Sequence, residues 1–312
     1  MNPKRWKVLL TAPRAVASLG RYERELGAAE CQVVAASVVE KLTADDLIPL
    51  VGDVHAIICG DDEITSRVLD AAPRLRVISK WGTGIDSIDV EEARRRGILV
   101  RNSPGAFSEP VADTVMGYVL MFARKLDAMS SDTKAGLWRR AELRALRECT
   151  LGIVGLGNSG RAVAKRAMAF GMRVISHTLH EPETAAPEGV QLVSLTELLH
   201  DSDFVTLHAD LRPESRGLID ETRLRSMKPS AVLINTARGA LIDERALETA
   251  LRERWIAGAA LDVFTNEPLP ANSALRNFAN VYLAPHNANA SAWAAERVHA
   301  NSIEHVLQAL TH

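Results

Sequence analysis

The chain has 312 residues, a formal net charge of −2, 24% charged and 47% hydrophobic residues. That length accommodates two domains with separate cores, and the balanced charge excludes a global pull toward nucleic acid or an anionic membrane surface. No apolar run reaches the roughly 18 residues that cross a bilayer, and the basic start, Met1 to Lys7, leads straight into a strand-like Val8, so a cytoplasmic protein without membrane span or secretory leader is expected.

In chain order, residues 6–102 alternate short apolar runs at 7–11, 31–35, 55–59, 76–79 and 98–101 with helical stretches at 14–26, 45–51, 65–71 and 90–96. Strands spaced by helices imply parallel β-α-β units. The turn after the first run is Thr11, Ala12, Pro13 and Arg14, without glycine, so this unit is not expected to hold a nucleotide. A long apolar segment at 108–124 predicts a mostly buried helix linking two domains. Its surplus apolar surface suits either a dimer interface or burial within its own chain. A charged stretch at 139–148 follows.

Then Leu151, Gly152, Ile153 and Val154 run into Gly155, Leu156, Gly157, Asn158, Ser159 and Gly160, with an Ala-rich helical segment behind them. This reads as a strand, a tight turn and a helix start. The first glycine makes the turn, the second lets a pyrophosphate approach the main chain, and the third lets helix pack on strand. Helix N–H groups then face the phosphates, which predicts a dinucleotide site. Further strands are expected at 172–176, 190–193, 204–208, 231–235, 257–261 and 281–283, with helices at 194–199, 221–227 and 243–252. A last amphipathic helix, 291–310, is expected to fold back onto the first domain. Cys31, Cys59 and Cys149 are odd in number and far apart, which predicts buried thiols. His177 and His180 lack a third ligand nearby, so no metal is expected.

Ligands of open α/β sheets bind beyond the carboxyl ends of the strands, so polar residues just after strands carry the most weight. Four places qualify. After the run ending at Ser79 come Lys80, Trp81, Gly82, Thr83 and Gly84, whose consecutive N–H groups suit a small carboxylate. After Asn235 come Thr236, Ala237 and Arg238 beside Gly239, and the guanidinium fork matches a carboxylate or carbonyl. After Leu261 come Asp262 and, five residues on, Glu267; after Leu283 comes His286. An imidazole titrates near ~6.5, and a neighbouring carboxylate favours its charged form and fixes the ring. Such a His can protonate a carbonyl oxygen as hydride reaches the carbon.

These residues, in this order over nearly the whole chain, resemble the D-isomer-specific 2-hydroxyacid dehydrogenases, the group that includes phosphoglycerate dehydrogenase and the hydroxypyruvate and glyoxylate reductases. The matching pieces are 81–86, 155–160, 205–208, 235–243, 262–268 and Pro285 with His286. The resemblance implies an α/β fold of two doubly wound parallel-sheet domains. A flavodoxin-like substrate domain, 1–103 plus 285–312, would face a Rossmann cofactor domain, 104–284, across a cleft. It implies a nicotinamide cofactor and a small 2-keto or D-2-hydroxy acid, with His286 as acid/base, Glu267 as its support and Arg238 on the substrate carboxylate. Trp81, Gly82, Thr83 and Gly84 would belong to the substrate site. Residues 155–160, Thr178, His208, Thr236, Ala237 and Asp262 would contact the cofactor, Asp262 on the nicotinamide side. A homodimer, with no nucleic-acid or membrane partner, is the expected assembly.

The chain departs from the family's pattern in places. Thr178 stands where NAD-dependent members carry an acid that bonds the ribose hydroxyls, with His177, His180 and Glu181 close by. NAD or NADP is therefore expected, with a lean to NAD because Glu181 can still serve the ribose. Gly60, Asp61, Asp62 and Glu63 form an acidic loop that would disfavour a phosphorylated substrate unless Lys80 and Arg14 compensate. Asn287, Ala288, Asn289 and Ala290 replace the family's Gly-rich segment after the histidine, and Trp81 and Trp293 are candidates to narrow the pocket. For a chain of 312 residues, the regulatory domain of longer phosphoglycerate dehydrogenases is not expected. Two other functions follow the same fold: a cofactor-sensing interaction protein similar to the corepressor branch, and a dehydrogenase of formate or phosphite.

Overall fold

A computed structural model describes residues 5–178 and 185–311. The chain divides into two compact units: the first runs through Phe107 and resumes from Ser291, and the second spans Ser108–Ala290. These exchanges fall later than the expected 103/104 and 284/285, so His286 belongs to the second unit. The reason is local: its loop is bonded to Asp262 at the end of a second-unit strand.

In the first unit the order is β1 (Trp6–Leu10), α1 (Pro13–Val16), α2 (Leu19–Gly27), β2 (Cys31–Ala35), α3 (Ala44–Leu47), β3 (Ala56–Cys59), α4 (Ser66–Asp70), β4 (Val77–Lys80), α5 (Val90–Arg95) and β5 (Leu99–Arg101). They form a parallel five-stranded sheet in the order β2-β1-β3-β4-β5. Every residue of β3 and β4 is buried, which explains why they read as unbroken apolar runs rather than alternating ones. The expected helix over 14–26 is two pieces, broken at Ala17 and Ser18. Ser18 and Gly20 are poor helix formers, so nothing local carries the helix across.

The acidic loop after β3 has a different role from the one expected. Asp62 is fully buried and accepts from Thr11 Oγ1 at 2.6 Å and from the amides of Leu42 at 2.7 Å and Gly60 at 2.9 Å. It ties three segments together as a structural carboxylate, and burial raises its pKa against those three bonds. Asp61 pairs with the buried Lys80 Nζ at 2.5 Å, so Lys80 is not a spare cation for a phosphate.

The second unit contains α6 (Ser108–Arg124), α7 (Leu126–Lys134), β6 (Thr150–Val154), α8 (Asn158–Ala169), β7 (Arg173–His177), β8 (Val190–Leu192), α9 (Leu195–Asp201), β9 (Phe204–Leu207), α10 (Glu221–Ser226), β10 (Val232–Asn235), α11 (Glu244–Arg252), β11 (Gly258–Leu261) and β12 (Val281–Leu283). Its parallel seven-stranded sheet has the order β12-β11-β10-β9-β6-β7-β8. The strand order reverses between β6 and β9, the topological switch where open α/β sheets bind ligands. Helix α6 buries Ala112, Val115, Met116 and Val119 in one core with Ala162, Val163 and Ala167 of α8. Helix α7 has no buried residue, and with no apolar face its sequence carries no helical period to read. The last helix, α12 (Ala292–Thr311), belongs to the first unit, where it packs on β4. Among the described residues no helix is long and apolar enough to cross a membrane.

Candidate active site

The glycine turn after β6 is built by close approaches. Gly155 has φ 97°, and a Cβ there would lie 2.6 Å from the main chain of His208, which follows β9. A Cβ on Gly160 would overlap the carbonyl oxygen of Gly155, so α8 starts directly against the turn. Gly157 differs: a Cβ there would meet nothing within 4 Å. Gly157 is the N-cap of α8 and offers no side chain to cap the helix, so the first-turn N–H groups of Asn158, Ser159 and Gly160 have no capping acceptor. Uncapped donors, a helix dipole and room for a bulky group fit a pyrophosphate. Leu156 is buried beneath the turn.

Thr178 directly follows β7, and the adjacent His177 Nδ1 lies 3.2 Å from the carbonyl of Val193, to which it donates. His180 and Glu181, both named from the sequence, lie outside the described residues. His208 Nε2 is 3.0 Å from Thr206 Oγ1, and burial lowers its pKa to about 4. The ring therefore bonds Thr206 on β9 and brings no charge at neutral pH. Because the folded-state value lies below the unfolded value near ~6.5, the folded chain takes up this proton last, and stability falls as pH drops from about 6.5 toward 4. Urea midpoints across that window should fall less steeply in His208→Gln; identical slopes would exclude His208 as the source.

Three neighbouring strands deliver the remaining groups. Asn235, Leu261 and Leu283 sit in register at the ends of β10, β11 and β12. Buried Asn235 shapes the next turn with its side chain, accepting from the Ala237 amide at 3.0 Å and donating to the Arg238 carbonyl at 2.8 Å. Arg238 is half-buried, with Nη1 donating to the Ala237 carbonyl at 2.9 Å. Thr236 Oγ1 is buried without a hydrogen-bond partner among the described residues, as expected of a group that completes its bonding with a ligand.

Glu267 spans two contacts: Oε1 accepts from the Phe264 amide at 2.9 Å, and Oε2 lies 2.8 Å from His286 Nδ1. A carboxylate oxygen accepts, so Nδ1 carries the hydrogen and proton exchange with a substrate falls to Nε2. Both side chains are partly exposed, at 28% and 29%. The His286 backbone has φ 49°, a left-handed geometry held from below. Its amide donates to the Asp262 carbonyl, and the amides of Asn287 and Ala288 each donate to the Asp262 carboxylate at 2.8 Å. Thr114 Oγ1 on α6 donates to the Ala288 carbonyl at 3.2 Å. Asp262 is 1% exposed, and burial raises its pKa against the two amide bonds. It is thus the scaffold of the His286 loop, a role its sequence position does not suggest.

In the first unit Trp81 follows β4. Its amide donates to the Cys59 carbonyl at 2.8 Å, the Ser103 amide donates to the Gly82 carbonyl at 2.9 Å, and Asn102 Nδ2 donates to the Thr83 carbonyl at 2.6 Å. Carbonyls turned toward 102–103 leave the amides of Gly82, Thr83 and Gly84 without an acceptor among the described residues. Asn102, Ser103, Thr114 and Asn235 were not assigned roles from sequence, since each acts through partners distant in the chain or through a turn it does not announce.

The profile of the D-isomer specific 2-hydroxyacid dehydrogenase NAD binding domain matches residues 116–288. A glyoxylate reductase of Korarchaeum cryptofilum is 44% identical over 237 residues, 74% of this chain and 71% of that protein. The solved D-lactate dehydrogenase of Aquifex aeolicus, bound to NAD and lactic acid, superposes with TM-score 0.86 at 27% identity, covering 98% of this chain and 95% of that one. An NADPH-dependent glyoxylate/hydroxypyruvate reductase of Sinorhizobium meliloti, bound to NADP and malonate, has TM-score 0.79 at 31% identity, covering 96% and 92%. With the glycine turn and the strand-end groups in these positions, the chain belongs to the D-isomer-specific 2-hydroxyacid dehydrogenases and is an NAD(P)-dependent oxidoreductase of that family.

Proposed function

We propose that the enzyme reduces a small 2-keto acid of the glyoxylate class to the corresponding D-2-hydroxy acid, or runs the reverse. The observation that carries this reading is the 2.8 Å His286–Glu267 bond at the end of the strand beside Asp262. The nicotinamide cofactor supplies or removes the hydride. His286 Nε2 gives its proton to the substrate carbonyl oxygen in reduction and takes it back in oxidation. Glu267 holds the ring and balances the charge that forms there. Arg238 receives the carboxylate as a fork, which fixes the carbonyl relative to His286. In the first unit the amides of Gly82, Thr83 and Gly84, behind Trp81, form the carboxylate-accepting loop of the same reading.

For the cofactor, residues 155–160 hold the pyrophosphate, Thr178 faces the ribose, and His208, Thr236, Ala237 and Asp262 line the remainder. His177 Nδ1 donates to the Val193 carbonyl, which fixes the ring next to Thr178. No carboxylate stands at Thr178 to repel a 2′-phosphate, so both NADH and NADPH are used, with a lean to NADH. We also take the chain to be a homodimer, because α7 and its sequel expose Leu126 at 56% and Trp138 at 81%.

The test is a panel of glyoxylate, hydroxypyruvate, pyruvate and phosphohydroxypyruvate with each cofactor, with formate and phosphite as alternative donors. Oxidation of NADH or NADPH is expected with glyoxylate or hydroxypyruvate. Turnover confined to formate or phosphite would replace this reading, and a cofactor preference beyond about a thousandfold, some ~4 kcal/mol, would reject dual use. Sedimentation velocity on the same preparation should give the mass of two chains.

A further inference from the structure

The loop that opens with Trp81 is fastened to the far end of the chain. Trp81 is 7% exposed, and its Nε1 donates to His299 Nδ1 on α12 at 3.1 Å. Tyr22 OH lies 2.8 Å from the same nitrogen and 2.9 Å from Ser302 Oγ, which itself donates to the His299 carbonyl. Ser18 Oγ faces His299 Nε2 at 3.4 Å. An indole N–H can only donate, so Nδ1 must be the acceptor, with the imidazole neutral and its hydrogen on Nε2 toward Ser18. Burial first, and then the charge of Arg21, lowers the His299 pKa and keeps this form, against smaller opposite effects of Glu296 and Glu25.

The rings stack as well as bond. Trp81 meets His299 edge-on at 5.2 Å and Phe107 at 5.8 Å, with the Arg14 guanidinium 5.8 Å over the indole. Helix α12 grips the loop a second time: Asn301 Nδ2 donates to Ser103 Oγ at 3.2 Å, and Ser103 bonds both Gly82 and Thr83 through its main chain. Burying an indole requires no N–H partner beyond one acceptor, and an apolar neighbour beside a Phe would fill the same space without polar groups to satisfy. The polar network instead fixes the direction in which the ring, and the peptide that follows it, must point.

We propose that His299 is a positioning residue for substrate binding, orienting the loop 81–84 through the indole of Trp81. The inference rests on the reading of that loop as a carboxylate site. It assigns the C-terminal helix a role in affinity for the 2-keto acid, with no part in hydride or proton transfer.

Steady-state kinetics on full-length His299→Leu, His299→Gln, Trp81→Phe and the Leu/Phe double variant test it. Loss of one buried hydrogen bond should raise KM for the preferred 2-keto acid by about tenfold in His299→Leu and in Trp81→Phe. In His299→Leu turnover should stay within about twofold and KM for the cofactor should not move. Gln offers a carbonyl acceptor and should restore most of the affinity, and the double variant should be no worse than either single one. Unchanged KM, a fall in kcat alone, no rescue by Gln, or additive effects would each overturn the proposal. Should His299→Leu fail to fold, Trp81→Phe and His299→Gln still decide it. A parent enzyme that reduces no 2-keto acid would remove the underlying reading, whereas an active parent with unmoved variants removes only the inference.

Discussion

His286→Ala should lower turnover by about 10²–10⁴, the usual contribution of a positioned general acid, while NADH binding followed by fluorescence stays within about twofold. The separation is expected because the groups that hold the loop are not those that do the chemistry. Asp262 grips the amides of Asn287 and Ala288, and the His286 amide bonds the Asp262 carbonyl, all independent of the imidazole. Alanine at φ 49° lacks the tolerance of left-handed geometry that His and Asn share. His286→Asn is therefore the cleaner variant, since Asn tolerates left-handed geometry and can still donate to Glu267. Both variants should be nearly inactive. Glu267→Gln should keep the bond from Phe264 but turn an amide donor toward Nδ1, with a loss of up to about 10⁴ expected by analogy with other carboxylate-supported histidines. If His286→Asn retains more than a tenth of the parent kcat, the acid/base role belongs elsewhere.

Much of the fold was legible because its signals are local. The runs at 55–59 and 76–79 anticipate β3 and β4 within a residue, since strands covered on both faces must be apolar throughout. Gly155, Gly157 and Gly160 announced the turn, and strand ends located Arg238, Glu267 and His286 because a parallel sheet places its carboxyl edges together. What stayed hidden depends on partners far along the chain. Helix α7 has no apolar face to betray it. Asp61 and Asp62 look like a repulsive acidic loop until Lys80, Thr11 and the Leu42 amide are seen to use them. Asp262 reads in sequence only as a strand-end cofactor contact, and nothing there announces that its carboxylate also accepts from main-chain amides of the His286 loop 25 and 26 residues on. The His299–Trp81 bond joins residues 218 apart, and no spacing rule reaches that far.

The second large effect concerns a glycine that sequence alone marks only as a neighbour of Arg238. A Cβ on Gly239 would overlap the carbonyl carbon and oxygen of Phe264, with the Thr265 amide also in contact. None of these is a flexible side-chain end, so Gly239→Ala must separate the turn of Arg238 from the turn that carries Glu267. Forced packing of this kind costs about 1–3 kcal/mol or more, which for a unit of this size lowers Tm by about 5 °C. The functional loss should exceed the loss of stability. Glu267 takes its position from the Phe264 amide, and a displacement of that peptide alters the carboxylate that holds His286. A misplacement of about 1 Å can cost 10² in rate, so kcat should fall by at least tenfold at temperatures where the variant is fully folded. Gly157→Ala is the matched contrast, because its Cβ meets no protein atom. It should keep the parent Tm and kcat at saturating cofactor while raising KM for the cofactor, since the added methyl enters the space assigned to the pyrophosphate. Equal Tm for Gly239→Ala and the parent would mean the two turns can part without cost, and the packing argument for the active-site frame would fall with it.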